Sequence, residues 1–124
     1  MIYKNGVIES GVIFINGKRR SLRGLSKELI FAMVTADRIS QEQFNIELVI
    51  TGLGGESHKV NSCHYGRLRD NGYYIDAADL RTRHYSDEQG NELIELLREE
   101  LGTDYQIVDE RKSKSHLHIE WDPR

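Results

Sequence analysis

The residues best suited to chemistry lie near the C-terminal end, in segment 116–121, which reads HLHIEW. Polar and apolar side chains alternate there without exception. Because a β-strand has a side-chain period of two, His116, His118 and Glu120 are predicted to share one face. Imidazole nitrogens and carboxylate oxygens are donors that suit zinc. The segment therefore predicts part of a metal site, although a solvated strand face with incidental histidines would show the same alternation.

A second set of candidate ligands lies in segment 62–82. Asn71-Gly72 is a strong hairpin signal, because a type I′ turn needs positive φ at both central residues. With those two residues as the loop, the pairing sets His64 directly opposite Asp79, close enough for both side chains to reach one ion. Two histidines and one carboxylate leave a fourth zinc position open for water, which is typical of catalytic sites. Asp76 is the rival carboxylate, but a regular strand turns it to the face opposite Asp79.

The elements that must position these residues predict an α+β fold with a small, mainly antiparallel sheet and two principal helices. Ser26 is expected to cap a first helix running to about Ile39. Its predicted apolar stripe consists of Leu29, Ile30, Met33, Val34 and Ile39. Residues 86–89, SDEQ, form a capping box for a second helix that stops at Gly102. Strands are predicted over 46–51, 105–109 and 116–121, with a hairpin turn at 16–17.

Composition bounds the class of protein. A chain of 124 residues with no linker or repeat predicts a single domain, residues 1–124. The net charge of −3 argues against nucleic acid as a partner, and no apolar run is long enough for membrane insertion. The first residues contain no apolar signal region, so we expect the product to be cytoplasmic as synthesised. The single cysteine excludes an internal disulfide.

Taken together, the motifs resemble those of peptidase family M15, the zinc D-Ala-D-Ala carboxypeptidases and phage endolysins. The matching stretches are Ser62-x-His64-Tyr65, Ala77-x-Asp79-Leu80-Arg81-Thr82 and His116-x-His118-x-Glu120. The resemblance runs over most of the chain and implies a hedgehog/DD-peptidase-like fold. It also implies Zn²⁺ as the cofactor, with His64, Asp79 and His118 as its ligands. His116 would then lie beside the water that the metal activates.

The function implied by this resemblance is hydrolysis of peptide bonds in bacterial peptidoglycan. The enzyme would be endolysin-like or DD-carboxypeptidase-like, encoded by a phage or prophage, and would act on the cell wall after release. His116 and Glu120 are the expected catalytic residues, with Glu110 as another possible base. Glu120 could instead orient a ligand histidine.

The sequence also departs from the family pattern. Fourteen residues separate His64 from Asp79, whereas the simplest family pattern has six. An arginine often found upstream of the first histidine, which would bind a substrate carboxylate, has no clear match. We expect His58, Tyr65 and Arg81 to contact substrate, with Lys59 or Arg67 as other replacements for that arginine. Endopeptidase and carboxypeptidase activity both stay open.

Two further hypotheses belong to other classes of protein. One is a zinc-binding domain without catalysis that serves in binding or phage assembly. The other is a metal-free structural or interaction protein with incidental histidines. Metal content distinguishes the metal-free protein from the two zinc-binding hypotheses. Turnover then distinguishes the peptidase from the non-catalytic zinc domain.

Overall fold

The computed structural model describes residues 1–3, 7–9, 12–15, 18–21, 25–53, 67–69 and 72–123. Within these ranges there are two long helices, α1 (Lys27–Phe44) and α2 (Asp87–Leu101), and one short helix, α3 (Arg111–Lys114). The strands, in chain order, are β1 (Ile2–Tyr3), β2 (Val7–Glu9), β3 (Val12–Ile15), β4 (Lys18–Ser21), β5 (Val49–Gly52), β6 (Arg67–Arg69), β7 (Gly72–Tyr74), β8 (Ala77–Arg81), β9 (Tyr105–Glu110) and β10 (His116–Trp121). The α+β class with two principal helices is confirmed.

Both long helices begin where the sequence predicts. The Ser26 hydroxyl accepts a hydrogen bond from the Leu29 amide, which satisfies one free N–H of the first turn of α1. At α2 the Ser86 hydroxyl and the Gln89 side chain each accept from the other residue's amide, so the capping box is complete. Helix α1 continues past the predicted end to Phe44, because Asn45 supplies the left-handed residue that stops it.

The central sheet has five strands in the order β1-β5-β8-β10-β9. It is mixed, since β1 pairs parallel with β5 while the other three pairings are antiparallel. The sequence had predicted a mainly antiparallel sheet and did not foresee the parallel strand. Strands β2, β3 and β4 form a separate antiparallel sheet in which Ile15 lies opposite Lys18, and the predicted turn at 16–17 lies outside the described residues.

The hydrophobic core lies between the two long helices and one face of the central sheet. It joins Leu29 and Met33 of α1 and Leu93 of α2 to Leu117 and Ile119 of β10. No helix among the described residues is long and apolar enough to cross a membrane.

Part of the predicted stripe on α1 is wrong. Ile30 and Val34 are 42% and 53% exposed, and the helix buries Ala32 and Ala36 beside Leu29 instead. Successive helical residues point about 100° apart, so the neighbouring apolar positions form a second stripe that turns away from the sheet.

Candidate metal centre

Strand β10 brings two histidines and a glutamate to one face of the central sheet. Leu117 and Ile119 are fully buried, whereas the alternate residues are only partly buried. The predicted alternation is confirmed. Leu117 and Ile119 anchor the strand in the core, and this fixes which face His116, His118 and Glu120 occupy.

Strand β8 places Asp79 directly opposite His118. The two residues are register partners in the antiparallel β8–β10 pair, and Asp79 Oδ1 lies 3.1 Å from His118 Nδ1. The other ring nitrogen, Nε2, lies 3.4 Å from Glu120 Oε1. Both nitrogens of one imidazole therefore face carboxylates. If Nδ1 holds a cation, Nε2–H donates to Glu120, the usual arrangement behind a ligand histidine.

Strand β9 adds a third carboxylate on the other side of His116. Glu110 is the register partner of His116, and its Oε1 lies 3.1 Å from His116 Nε2. The same nitrogen is 3.6 Å from Asp79 Oδ1. We call Asp79, Glu110, His116, His118 and Glu120 the carboxylate–imidazole cluster. Its side chains are 13% to 25% exposed, so they are shielded yet reachable.

The electrostatics of the cluster favour a positive species. Burial lowers the pKa of His118, but the hydrogen bonds and charges of Asp79 and Glu120 raise it by more, to about 9. Three carboxylates surround two imidazoles, so a proton or a cation is stabilised between them.

The spacing of the donor atoms fits a metal ion. Two ligands bound tetrahedrally at zinc distances lie about 3.3 Å from each other. Within the cluster the nitrogen–oxygen separations to Asp79 Oδ1 are 3.1 Å from His118 and 3.6 Å from His116. Asp79, Glu110 and His116 also offer ligand atoms that all lie within 4.8 Å of one another. Asp79 is thus common to two overlapping ligand sets, one with His118 and one with His116 and Glu110.

A β-bulge in β5 makes room for the Asp79 carboxylate. The β5–β8 register steps from Ile50 opposite Leu80 to Gly52 opposite Asp79, so β5 has one extra residue there. A Cβ atom on Gly52 would lie only 3.0 Å from Asp79 Oδ2. The Thr51 hydroxyl in the bulge donates to the Asp79 carbonyl at 3.3 Å. Gly52 therefore leaves space for the Asp79 carboxylate, and Thr51 holds the Asp79 backbone.

The predicted residues divide into two groups. Asp79, His116, His118 and Glu120 come together in the cluster, and Arg81 lies opposite His116 on β8. His58, His64 and Tyr65 lie outside the described residues, so their proposed roles stay predictions. Asp76 is fully buried, whereas Asp79 lies in the cluster.

The register argument that paired His64 with Asp79 is wrong. Arg69 lies opposite Gly72 in the β6–β7 pair, so Gly72 is a strand residue and not part of the predicted loop. In addition, β8 pairs with β5 along one edge and with β10 along the other, and Asp79 already faces Gly52 and His118. His64 lies outside the described residues, so its approach to Asp79 stays a prediction.

The sequence patterns did not predict two residues that contribute to the site, Glu110 and Gly52. Glu110 was foreseen only as an alternative base, because the length of the turn at 111–115 does not fix the β9–β10 register. Gly52 carried no signal, since nothing in its neighbourhood predicts a bulge. Gln106, Val108 and Glu110 are alternate residues of β9 and so share one face of the strand, and this was the one pattern that could have indicated Glu110.

No family model, no curated protein and no solved structure matches this chain. The likeness to peptidase family M15 therefore remains a resemblance of short motifs. The geometry of the cluster is the main support for a function.

Proposed function

We propose that the protein is a zinc-dependent peptidase that hydrolyses peptide bonds of bacterial peptidoglycan. The observation that carries the proposal is the cross-strand pair of Asp79 and His118, flanked on the same sheet face by His116, Glu110 and Glu120. A mixed set of imidazole and carboxylate donors, partly shielded from water, suits zinc. The M15-like motifs suggest the substrate class.

In this proposal His64, Asp79 and His118 hold the zinc ion, with His118 binding through Nδ1. Glu120 accepts a hydrogen bond from His118 Nε2 and fixes the orientation of the ring. Gly52 leaves space for Asp79 Oδ2, and the Thr51 hydroxyl holds the Asp79 backbone. Zinc, when bound, supplies a Lewis acid and lowers the pKa of a water molecule to roughly 7.

The protein's part in proton transfer falls to His116 and Glu110. His116 Nε2 lies 3.1 Å from Glu110 Oε1 and reaches the edge of the cluster next to Asp79. The imidazole can take a proton from the attacking water, share it with Glu110 and return it to the leaving amine. Lys114 Nζ lies 3.4 Å from Glu110 Oε2, so Glu110 contacts both His116 and a lysine. Arg81 lies opposite His116 on β8, and in this proposal it contacts the substrate beside the reacting bond.

The proposed setting is a phage or prophage product that is made in the cytoplasm and reaches the wall after release. A zinc-binding domain without catalysis is the second candidate, because the same cluster could hold a structural ion. It would serve in binding or in phage assembly.

The deciding experiment combines metal content and turnover on one preparation purified without a histidine tag. We expect about one zinc per chain by elemental analysis and release of peptide ends from purified peptidoglycan. The Asp79→Asn variant should lose both, and the His84→Ala variant, which removes an exposed histidine outside the cluster, should lose neither. Zinc without turnover on several wall chemotypes would favour the non-catalytic domain. A chain without metal would contradict both.

A further inference from the structure

A cleft of about 300 Å³ opens beside the carboxylate–imidazole cluster. Its walls are formed by Thr51, Asp79, Arg81, Arg83, Lys114, Ser115 and His116. Three permanent cations therefore surround a space large enough for a small polar group, and the cluster closes one side of it. Ligand pockets in proteins begin at about this size.

Of the three cations, Lys114 is paired with a carboxylate among the described residues and the two arginines are not. Asp79 is bonded to His118, and Glu110 pairs with both His116 and Lys114. Arg81 and Arg83 have no ion-pair partner in the part of the chain that the structure describes. Two guanidinium groups thus offer their donors to the cleft without an internal acceptor.

The backbone fixes both walls. Thr82, between the two arginines, is buried, and its amide donates to the Ser115 carbonyl at 3.0 Å. Ser115 has a left-handed φ of 56°, which ends α3 and turns the chain into β10. This turn places Lys114 and Ser115 across the cleft from Arg81 and Arg83. The basic groups therefore come from two segments that are tied together.

We propose that this cleft is a binding site for an oxyanion, a carboxylate or phosphate group, held by Arg81 and Arg83. Guanidinium groups bind such anions through paired charge-assisted hydrogen bonds, and the Ser115 hydroxyl adds a neutral donor. The anion comes either from a substrate's own carboxylate or from free inorganic phosphate. The substrate source depends on the proposed peptidase function, whereas anion binding itself does not.

A cation in the cluster and an anion in the cleft should strengthen each other's binding, because Asp79 and His116 border both sites. Opposite charges a few ångströms apart attract, and binding linkage is reciprocal. Zinc should therefore tighten anion binding.

The test is calorimetric titration of the full chain with inorganic phosphate and with acetate, both as purified and after chelation at low temperature. We expect each of Arg81→Gln and Arg83→Gln to weaken binding about ten-fold or more, as loss of a charge-assisted hydrogen-bond pair does. Lys112→Gln is the matched control, since it removes an exposed cation of α3 that does not line the cleft. Equal weakening in Lys112→Gln, or unchanged binding in both arginine variants, would overturn the proposal.

Peptides separate the two sources of the anion. A short peptide with a free C-terminal carboxylate, titrated against its C-terminal amide, should bind more tightly and displace phosphate if the substrate supplies the anion. Phosphate binding without such a preference assigns the cleft to a free anion. The peptides are titrated into the chelated protein, so their binding can be measured even if the protein does not hydrolyse peptides. Conversely, a failure to bind anions would not contradict the proposed zinc site.

Discussion

Asp79 and His118 lie directly opposite each other on neighbouring antiparallel strands, 39 residues apart in sequence, with Oδ1 and Nδ1 3.1 Å apart. This contact joins a strand that follows a hairpin to a strand near the end of the chain. It is as short as the cross-strand contact between His116 and Glu110, and it is the geometric basis for assigning Asp79 and His118 to one ion.

The first prediction concerns metal content. His118→Ala and Asp79→Asn should each lose most of the bound zinc, because each removes or weakens a donor of the central pair. Elemental analysis and competition with a chromogenic chelator measure this directly. The Asp76→Asn variant should retain zinc, since Asp76 is buried outside the cluster. Zinc retained in His118→Ala would transfer the site to the Asp79, Glu110 and His116 set.

The second prediction concerns thermal stability. Zinc bound only to the folded chain stabilises it by roughly 4 kcal/mol when its free concentration is about 1,000-fold above Kd. For a domain of this size that corresponds to a fall in Tm on the order of 10 °C after chelation. His118→Ala supplies the comparison, because its Tm should not respond to chelator. An unchanged Tm after verified zinc removal from the wild type would show that the ion does not stabilise the fold.

Sequence reasoning succeeded where the determining interactions were local. The face occupied by His116, His118 and Glu120 follows from strict alternation over six residues, and both helix starts follow from caps within four residues. Such patterns are decided by backbone geometry and by which side chains prefer the core, so they can be read without knowing the rest of the fold.

Sequence reasoning failed where the strand pairing depended on residues distant in sequence. Asn71-Gly72 favours a loop at those two residues, yet Gly72 pairs with Arg69. The strand partners of Asp79 are decided by the sheet order, in which β8 lies between β5 and β10. The parallel pairing of β1 and the bulge at Gly52 are likewise products of the assembled sheet, and no local pattern encodes them.

The third prediction tests the space beside Asp79. A Cβ at Gly52 would lie 3.0 Å from Asp79 Oδ2, so Gly52→Ala should displace the carboxylate and weaken zinc affinity about ten-fold. The fold should persist, because Gly52 does not have a positive φ. Gly90→Ala is the comparison, since its Cβ would press on the hydrogen-bonded guanidinium of Arg111, which is not part of the cluster. Equal zinc affinity in Gly52→Ala and wild type would exclude this positioning role.

The fourth prediction concerns pH and Asp37, which joins α1 to the start of β5. Its Oδ1 accepts from the Leu48 amide at 3.1 Å, and its Oδ2 accepts from Gln41 and the N-terminal ammonium. Burial raises the pKa of Asp37, but these hydrogen bonds and the ammonium charge lower it by more, so the net pKa is below normal. Asp37→Asn should reduce the free energy of unfolding by about 1–3 kcal/mol at pH 7.

A folded-state pKa below the unfolded one stabilises the protein above the unfolded value, near 3.9, and the gain is lost as pH falls below it. The difference in free energy of unfolding between wild type and Asp37→Asn, measured with urea, should therefore shrink as pH falls from about 4 through the lower folded-state pKa of Asp37. Glu47→Gln, which removes the other, more exposed partner of the ammonium, should cost less than about 1 kcal/mol. A difference that persists unchanged at low pH would mean that the Asp37 charge does not contribute.

The last prediction concerns catalysis and His116. Its Nε2 lies between Glu110 Oε1 and Asp79 Oδ1, at 3.1 Å and 3.6 Å, at the border of the cluster and the basic cleft. If His118 holds the ion and His116 moves the proton, His116→Ala should keep zinc but lose about 10²-fold or more in hydrolysis of peptidoglycan peptides. Glu110→Gln should keep the metal as well and lose less activity, because the imidazole is still present. Zinc content and kcat measured on the same preparations separate the roles. Loss of zinc in both variants would identify His116 and Glu110 as ligands, and full activity in His116→Ala would shift the base role to Glu120 or Glu110.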